Sequence, residues 1–222
     1  MKRANVPGQP GRWLLRSGLA AGPLFVAVFL AEGVVREGYS PLRHPVSSLA
    51  LGRRGGIQTG NFAVAGALLL AGAAGLSRVA DPEAGAVPVL IGAAGAGLLG
   101  SGAFPTDPVS GYPPGTSGAI TQPSRTGTLH TLFALPVFLG LPAAALISGW
   151  RSWRAGQRGP GLHGAATAAG MLATMGLAGA GFGQSPRLVS RGGLFQRASI
   201  ITGFAWLTTV FARALRRAQA TE

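Results

Sequence analysis

Six long apolar runs govern what this chain can become. They cover about residues 14–35, 57–79, 87–104, 129–150, 162–182 and 198–214. Each is close to the roughly 20 residues that cross a bilayer as a helix. Lipid offers no hydrogen-bond partner to an open backbone, so each run is expected to be helical. The fold class that follows is all-α, an integral membrane bundle of six transmembrane helices. The reading treats residues 1–222 as one transmembrane domain without a separate soluble domain.

Charge supports that class. Charged residues make up 11% of the chain, against about 25% in an ordinary soluble domain. The net charge of +13 comes almost wholly from arginine. These arginines sit between the apolar runs, as charges flanking membrane spans do. No basic, aromatic-studded module is present, so no nucleic-acid partner is expected. With no cysteine, disulfides, thiolate chemistry and cysteine-ligated metals are excluded. The start, with Lys2, Arg3 and Arg12 before an apolar run, has the outline of a signal peptide. Ala31-Glu32-Gly33 is a poor cleavage site, however, so run 14–35 is read as a retained helix.

Within the runs, Gly92, Ala96 and Gly100 recur at spacing four, as do Gly179 and Gly183. Such stripes predict close helix–helix contact. Pro136 and Pro142 predict a kink in the fourth run. A short helix is expected near Ser47–Leu51, and residues 80–86 form a short link carrying Asp81 and Glu83. An even number of spans puts both termini on one side. Lysine and arginine are more numerous at the termini and in loops two and four. The positive-inside rule then predicts cytoplasmic termini in the cell inner membrane, with loops one, three and five extracytoplasmic. Glu32, Arg43, His44, Ser47, Ser48, Asp107, Tyr112, His130, Gln184, Gln196 and Arg197 gather at that outer edge.

The longest polar interval, Phe104 to His130, holds one of six acidic residues, Asp107, and one of three histidines, His130. Its Phe104-Pro-Thr-Asp-Pro108 and Gly127-Thr-Leu-His130 motifs stand beside Arg36 to Ala50 in the first loop and Gly193-Leu-Phe-Gln-Arg197 before the last span. Together these resemble the bacterial membrane proteins of the domain of unknown function (DUF) family 998, over nearly the whole chain. The resemblance implies a six-span architecture and a membrane location. It implies no activity, since none is assigned to that family.

Four kinds of chemistry compete for the outer residues. Ser47 or Ser48 with His130 and Asp107 supply the residue types of a nucleophilic triad, but there is no G-x-S-x-G elbow. His44, His130, Asp107 and Glu32 are not spaced as a metal motif, and His163 falls at the other membrane face. No metal or other cofactor is therefore expected. Arginines near the membrane surface suit phosphate or carboxylate groups, beside helices that hold acyl chains. That reading places binding on Arg43, Asp107, His130 and Arg197, with membrane lipid as partner. Transport finds no internal repeat and no charge at the centre of a span. The sequence points to no protein partner. It predicts an Asp107–His130–Arg197 cluster at the extracytoplasmic mouth, in a lipid- or anion-binding accessory protein. The alternative is an extracytoplasmic membrane hydrolase using Ser, His and Asp.

Overall fold

A computed structural model describes residues 9–79 and 85–220. The basic start with Lys2 and Arg3 and the acidic link with Asp81 and Glu83 lie outside the described residues. The elements are α1 (Gln9–Val35), a 3-10 helix (Val46–Ala50), α2 (Gly55–Val79), α3 (Ala86–Ala103), α4 (Arg125–Leu135), a π turn (Pro136–Gly140), α5 (Leu141–Arg154), α6 (Arg158–Phe182) and α7 (Gly192–Ala220). The π turn joins α4 and α5 into one span, Arg125–Arg154, so six helices are long and apolar enough to cross a membrane.

The helices pack in chain order into a ring. α1 lies against α2 and α7, α2 against α3, α3 against α4 and α5, α5 against α6, and α6 against α7. Glycine sets how closely they approach. Gly66 on α2 and Gly95 on α3 meet backbone to backbone, and a Cβ on Gly66 would come within 2.7 Å of the Gly95 carbonyl oxygen. Gly149 on α5 and Gly164 on α6 do the same, a Cβ on Gly164 falling 2.8 Å from the Gly149 Cα. Gly18 and Gly72 make room for the Phe211 ring between α1, α2 and α7.

Of the two small-residue stripes, α3 keeps two of its three positions in contact. Gly100 lies under the Phe133 ring and Gly92 faces Ala73, while Ala96 is exposed. The Gly179/Gly183 stripe makes no helix contact, because a Cβ on Gly179 would meet nothing and one on Gly183 only its own helix. At that end of α6 the packing glycine is Gly181, against Gly192.

The core of one half of the bundle is a phenylalanine cluster. Phe25 meets Phe29 at 5.6 Å, Phe62 at 5.6 Å and Phe204 at 5.2 Å between ring centroids. Polar ties fasten neighbouring helices inside it: Asn61 Nδ2 donates to the Phe25 carbonyl at 3.1 Å, and Ser199 Oγ to that of Met171 at 3.0 Å. Such bonds are the ordinary fastening of helices in lipid, where the hydrophobic effect does not join them.

The fourth span departs from this regularity. Pro136 and Pro142 each lack a backbone N–H, so the helical ladder loosens between them into the π turn. Beyond the turn, α5 packs closely on α6, whereas α4 stays with α3. The span therefore leans away from α6 in its first half. Several helices extend past their apolar runs. α4 starts at Arg125, and α7 starts at Gly192, so Gln196 and Arg197 are helical rather than in a loop.

Candidate functional site

Loop one carries the motif around Arg36–Ala50 and is built onto the start of α7. Gly38 has φ +67, the left-handed region that glycine adopts without strain. The loop then runs back so that Gly193 N–H donates to the Arg43 carbonyl at 3.2 Å and Leu194 N–H to that of Leu42 at 2.9 Å. A Cβ on Gly193 would sit 2.4 Å from the His44 oxygen, so only glycine fits there. Gln196 Oε1 accepts from Val46 N–H at 2.7 Å. Arg197 is buried, and its Nη1 donates to the carbonyls of Pro41 at 2.6 Å, His44 at 3.0 Å and Gly193 at 3.1 Å. Its Nη2 donates to the Tyr39 hydroxyl, which in turn donates to the Pro45 carbonyl at 2.8 Å. Burial pushes the Tyr39 hydroxyl above its ordinary range, against the pull of Arg197. It is therefore a neutral phenol at this position.

Loop three closes over this clasp. The His44 ring lies 5.3 Å from both Tyr39 and Tyr112, and the two tyrosines meet edge to face at 5.1 Å. Ser40 N–H donates to His44 Nδ1 at 2.9 Å, and the ring also bonds the Ser110 backbone. Burial holds the imidazole below its usual range, with the nearby Arg43 and Arg197 charges acting in the same direction. Beneath lies an ion triad: Glu32 pairs with Arg36 at 2.6 Å and with Arg54 at 2.6 Å.

The expected Asp107–Arg197 pair is not formed. Arg197 finds its partners in backbone carbonyls and Tyr39, which take both Nη atoms and leave the buried Nε without a partner. Asp107 Oδ2 instead accepts from Ser124 N–H at 3.0 Å, and Ser124 Oγ caps α4 by accepting from Gly127 N–H at 3.0 Å. The carboxylate lies over Gly127, where a Cβ would come within 2.0 Å of it. A negative charge at a helix start suits the helix dipole. Asp107 is thus a cap for α4, and Gly127 leaves room for it.

His130 stands one turn further along. Its Nδ1 lies 3.0 Å from the Ser101 carbonyl and 2.9 Å from that of Phe104, so Nδ1 carries the proton and donates. Nε2 is then a bare acceptor in the neutral ring, with no bond among the described residues. Asp107 does not orient this histidine, and the triad drawn from sequence is replaced by two backbone carbonyls. Ser48 is fully buried, whereas Ser47 is half-buried. The Arg43 side chain is exposed on the loop surface.

The feature that sequence reasoning did not reach is a cavity of about 750 Å³ where α4 leans away from α6. Its floor is Phe25, Phe62, Leu98 and Ile200, and its walls are mostly apolar side chains of α4, the π turn and α6. Leu135, Leu139, Leu172 and Gly176 form an exposed rim at the depth of the middle of the fourth span. Ser47, Ser101, His130 and Gln196 face it from the loop end. Of the four residues expected to bind, only His130 lines it. Ser101, a hydroxyl in the last turn of an apolar span, gave only a weak signal in the sequence.

Six apolar spans with this loop architecture define a multi-pass membrane protein. The family model for proteins of unknown function, DUF998, matches residues 19–213. The chain belongs to that family. No curated protein and no solved structure matches it.

Proposed function

We propose that this protein binds a membrane lipid in the side-opening cavity between α4 and α6. The observation that carries this reading is the cavity itself. Its volume of about 750 Å³ lies within the roughly 300–1,000 Å³ of small-molecule sites. Its walls are apolar and its exposed rim lies where acyl chains would surround the protein. A lipid would enter sideways, chains against Leu135, Leu139 and Leu172, with its polar end towards Ser47 and His130. On the charge distribution, the protein sits in the cell inner membrane with both termini in the cytoplasm and the polar end of the cavity outside.

Gly176 provides the test. A Cβ there would meet nothing within 4 Å, yet the residue lines the cavity, so Gly176→Trp fills the space without disturbing the helix. The wild-type protein, purified and examined by native mass spectrometry, should retain lipid that the variant lacks. Equal lipid retention by both would sink the reading.

One observation favours a second reading, an extracytoplasmic hydrolase. Ser47 and the bare Nε2 of His130 face the same cavity, as a nucleophile and its base must. Covalent labelling of Ser47 by a fluorophosphonate probe, lost in Ser47→Ala and in His130→Asn, would establish it. An unlabelled wild-type protein would remove it.

A further inference from the structure

We infer that the lipid held in this cavity is uncharged and carries a free hydroxyl beside an ester oxygen, as diacylglycerol does; the inference rests on the lipid-binding reading above. Three buried polar residues line the cavity with a group left open. His130 is 7% exposed, Gln196 7% and Ser101 3%, and all three line the cavity. A buried polar group without a partner is unfavourable and is ordinarily satisfied by protein, water or ligand. Here each group's protein bonds hold it in place while leaving one function open. His130 Nδ1–H is used on Ser101 and Phe104, which leaves Nε2 as an acceptor. Gln196 Oε1 is used on Val46 N–H, which leaves the amide NH2 as a donor. The hydroxyls of Ser101 and Ser47 make no bond among the described residues.

The other lining hydroxyls, Thr106 and Thr131, donate to the Asp107 and Gly127 carbonyls, so the open set is one acceptor, one amide donor and two hydroxyls. No arginine, lysine, aspartate or glutamate lines the cavity. The nearby Asp107 carboxylate, over Gly127 one turn before His130, is itself negative. Arg197 turns both Nη atoms to loop one and its own helix and does not line the cavity. A phosphate head would need cations here, and would meet a histidine lone pair instead. A hydroxyl donates to His130 Nε2, and an ester carbonyl accepts from the Gln196 amide. An uncharged head with both groups matches the site, and its chains follow the apolar walls to the rim.

The experiment uses the full-length protein in detergent with two probes that share their chains, dioleoylglycerol and dioleoylphosphatidic acid. Native mass spectrometry measures the bound fraction. Dioleoylglycerol is expected to bind at least about tenfold better, the scale of one or two hydrogen bonds against a misplaced charge. Two variants keep the protein's own bonds and remove the open group. His130→Asn retains a donor for the Ser101 and Phe104 carbonyls and loses Nε2. Gln196→Glu retains an oxygen for Val46 N–H and loses the NH2. Each should weaken dioleoylglycerol binding about tenfold. Should either fail to fold, the Ser47→Ala/Ser101→Ala pair removes both hydroxyls and is expected to weaken binding similarly. Equal or tighter binding of dioleoylphosphatidic acid, or full dioleoylglycerol binding by the variants, overturns the inference. If Gly176→Trp still abolishes that binding, the cavity reading survives its loss. If neither probe binds and Gly176→Trp retains whatever lipid co-purifies with the wild type, both fall.

Discussion

Arg197 ties loop one to α7 through one guanidinium, touching Tyr39, the Pro41 and His44 carbonyls and the Gly193 carbonyl of its own helix. Arg197→Met removes the donor and leaves buried acceptors unpaired, so it should destabilise the protein by about 3 kcal/mol. Chemical unfolding in detergent measures this, and a loss below about 1 kcal/mol would mean the clasp is dispensable. His44 adds a pH dependence whose sign follows from its geometry. Its Nδ1 accepts from Ser40 and its ring is buried, so the folded state disfavours the proton. The folded pKa therefore lies below the unfolded value near 6.5. The stability this histidine contributes is complete above about pH 6.5 and falls as pH drops through the folded pKa. The melting temperature should be lower at pH 5 than at pH 7.5, and His44→Gln should flatten that difference. At this scale the sequence reading mispaired the residues it singled out. Asp107, His130 and Arg197 all lie at the loop end of the bundle, and opposite charges there suggested an ion pair. Backbone carbonyls, which sequence does not display, took the arginine and the histidine instead.

Among the elements, the spans were legible because bilayer thickness imposes their length, and the proline pair foretold the break in the fourth. Contact faces were harder to read. α3 is small at nearly every position from Gly92 to Gly97, so spacing alone cannot select its packed side. The structure packs Gly95 against Gly66, and Ala96 is left exposed. On α6 the spacing points to Gly179/Gly183, and the glycine in contact is Gly181. These facts separate two substitutions of identical chemistry. Gly95→Leu forces α2 and α3 apart and should cost about 2 kcal/mol or more, typical of overpacking. Gly179→Leu enters open space and should leave thermal stability in detergent unchanged. Equal effects of the two would contradict the packing described here. The cavity escaped the sequence for a related reason. It is a gap between α4 and α6 made by a bend, and no run of residues encodes a gap.

For the molecule as a whole, the arrangement bears on which way it lies in the membrane. Loops one and three and the start of α7 meet at one end, joined through the clasp and the tyrosine–histidine stack, and Gln184 of loop five lies against Gly118 of loop three. By sequence alone the excess of basic residues at the opposite end was small. The structure sharpens it, since Arg36 and Arg197 are buried at the loop end and Arg54 is paired with Glu32. The opposite end carries Arg151 and Arg154 in the last turn of α5 and Arg213, Arg216 and Arg217 near the end of α7. Exposed Trp13, Trp150 and Trp153 ring it, with Arg16 and Arg154 stacked on two of them. Tryptophan and arginine together suit an interface beside anionic headgroups. The expected orientation therefore has this end in the cytoplasm. Single cysteines at Ser117 and Gln157 test it, because both positions are exposed and the chain has no cysteine of its own. An impermeant maleimide added to intact cells should label the cysteine at 117 and not that at 157. The reverse pattern would put the polar end of the cavity in the cytoplasm. The side opening between α4 and α6 would still face lipid, so lipid retention should survive a reversal that an external hydrolase would not.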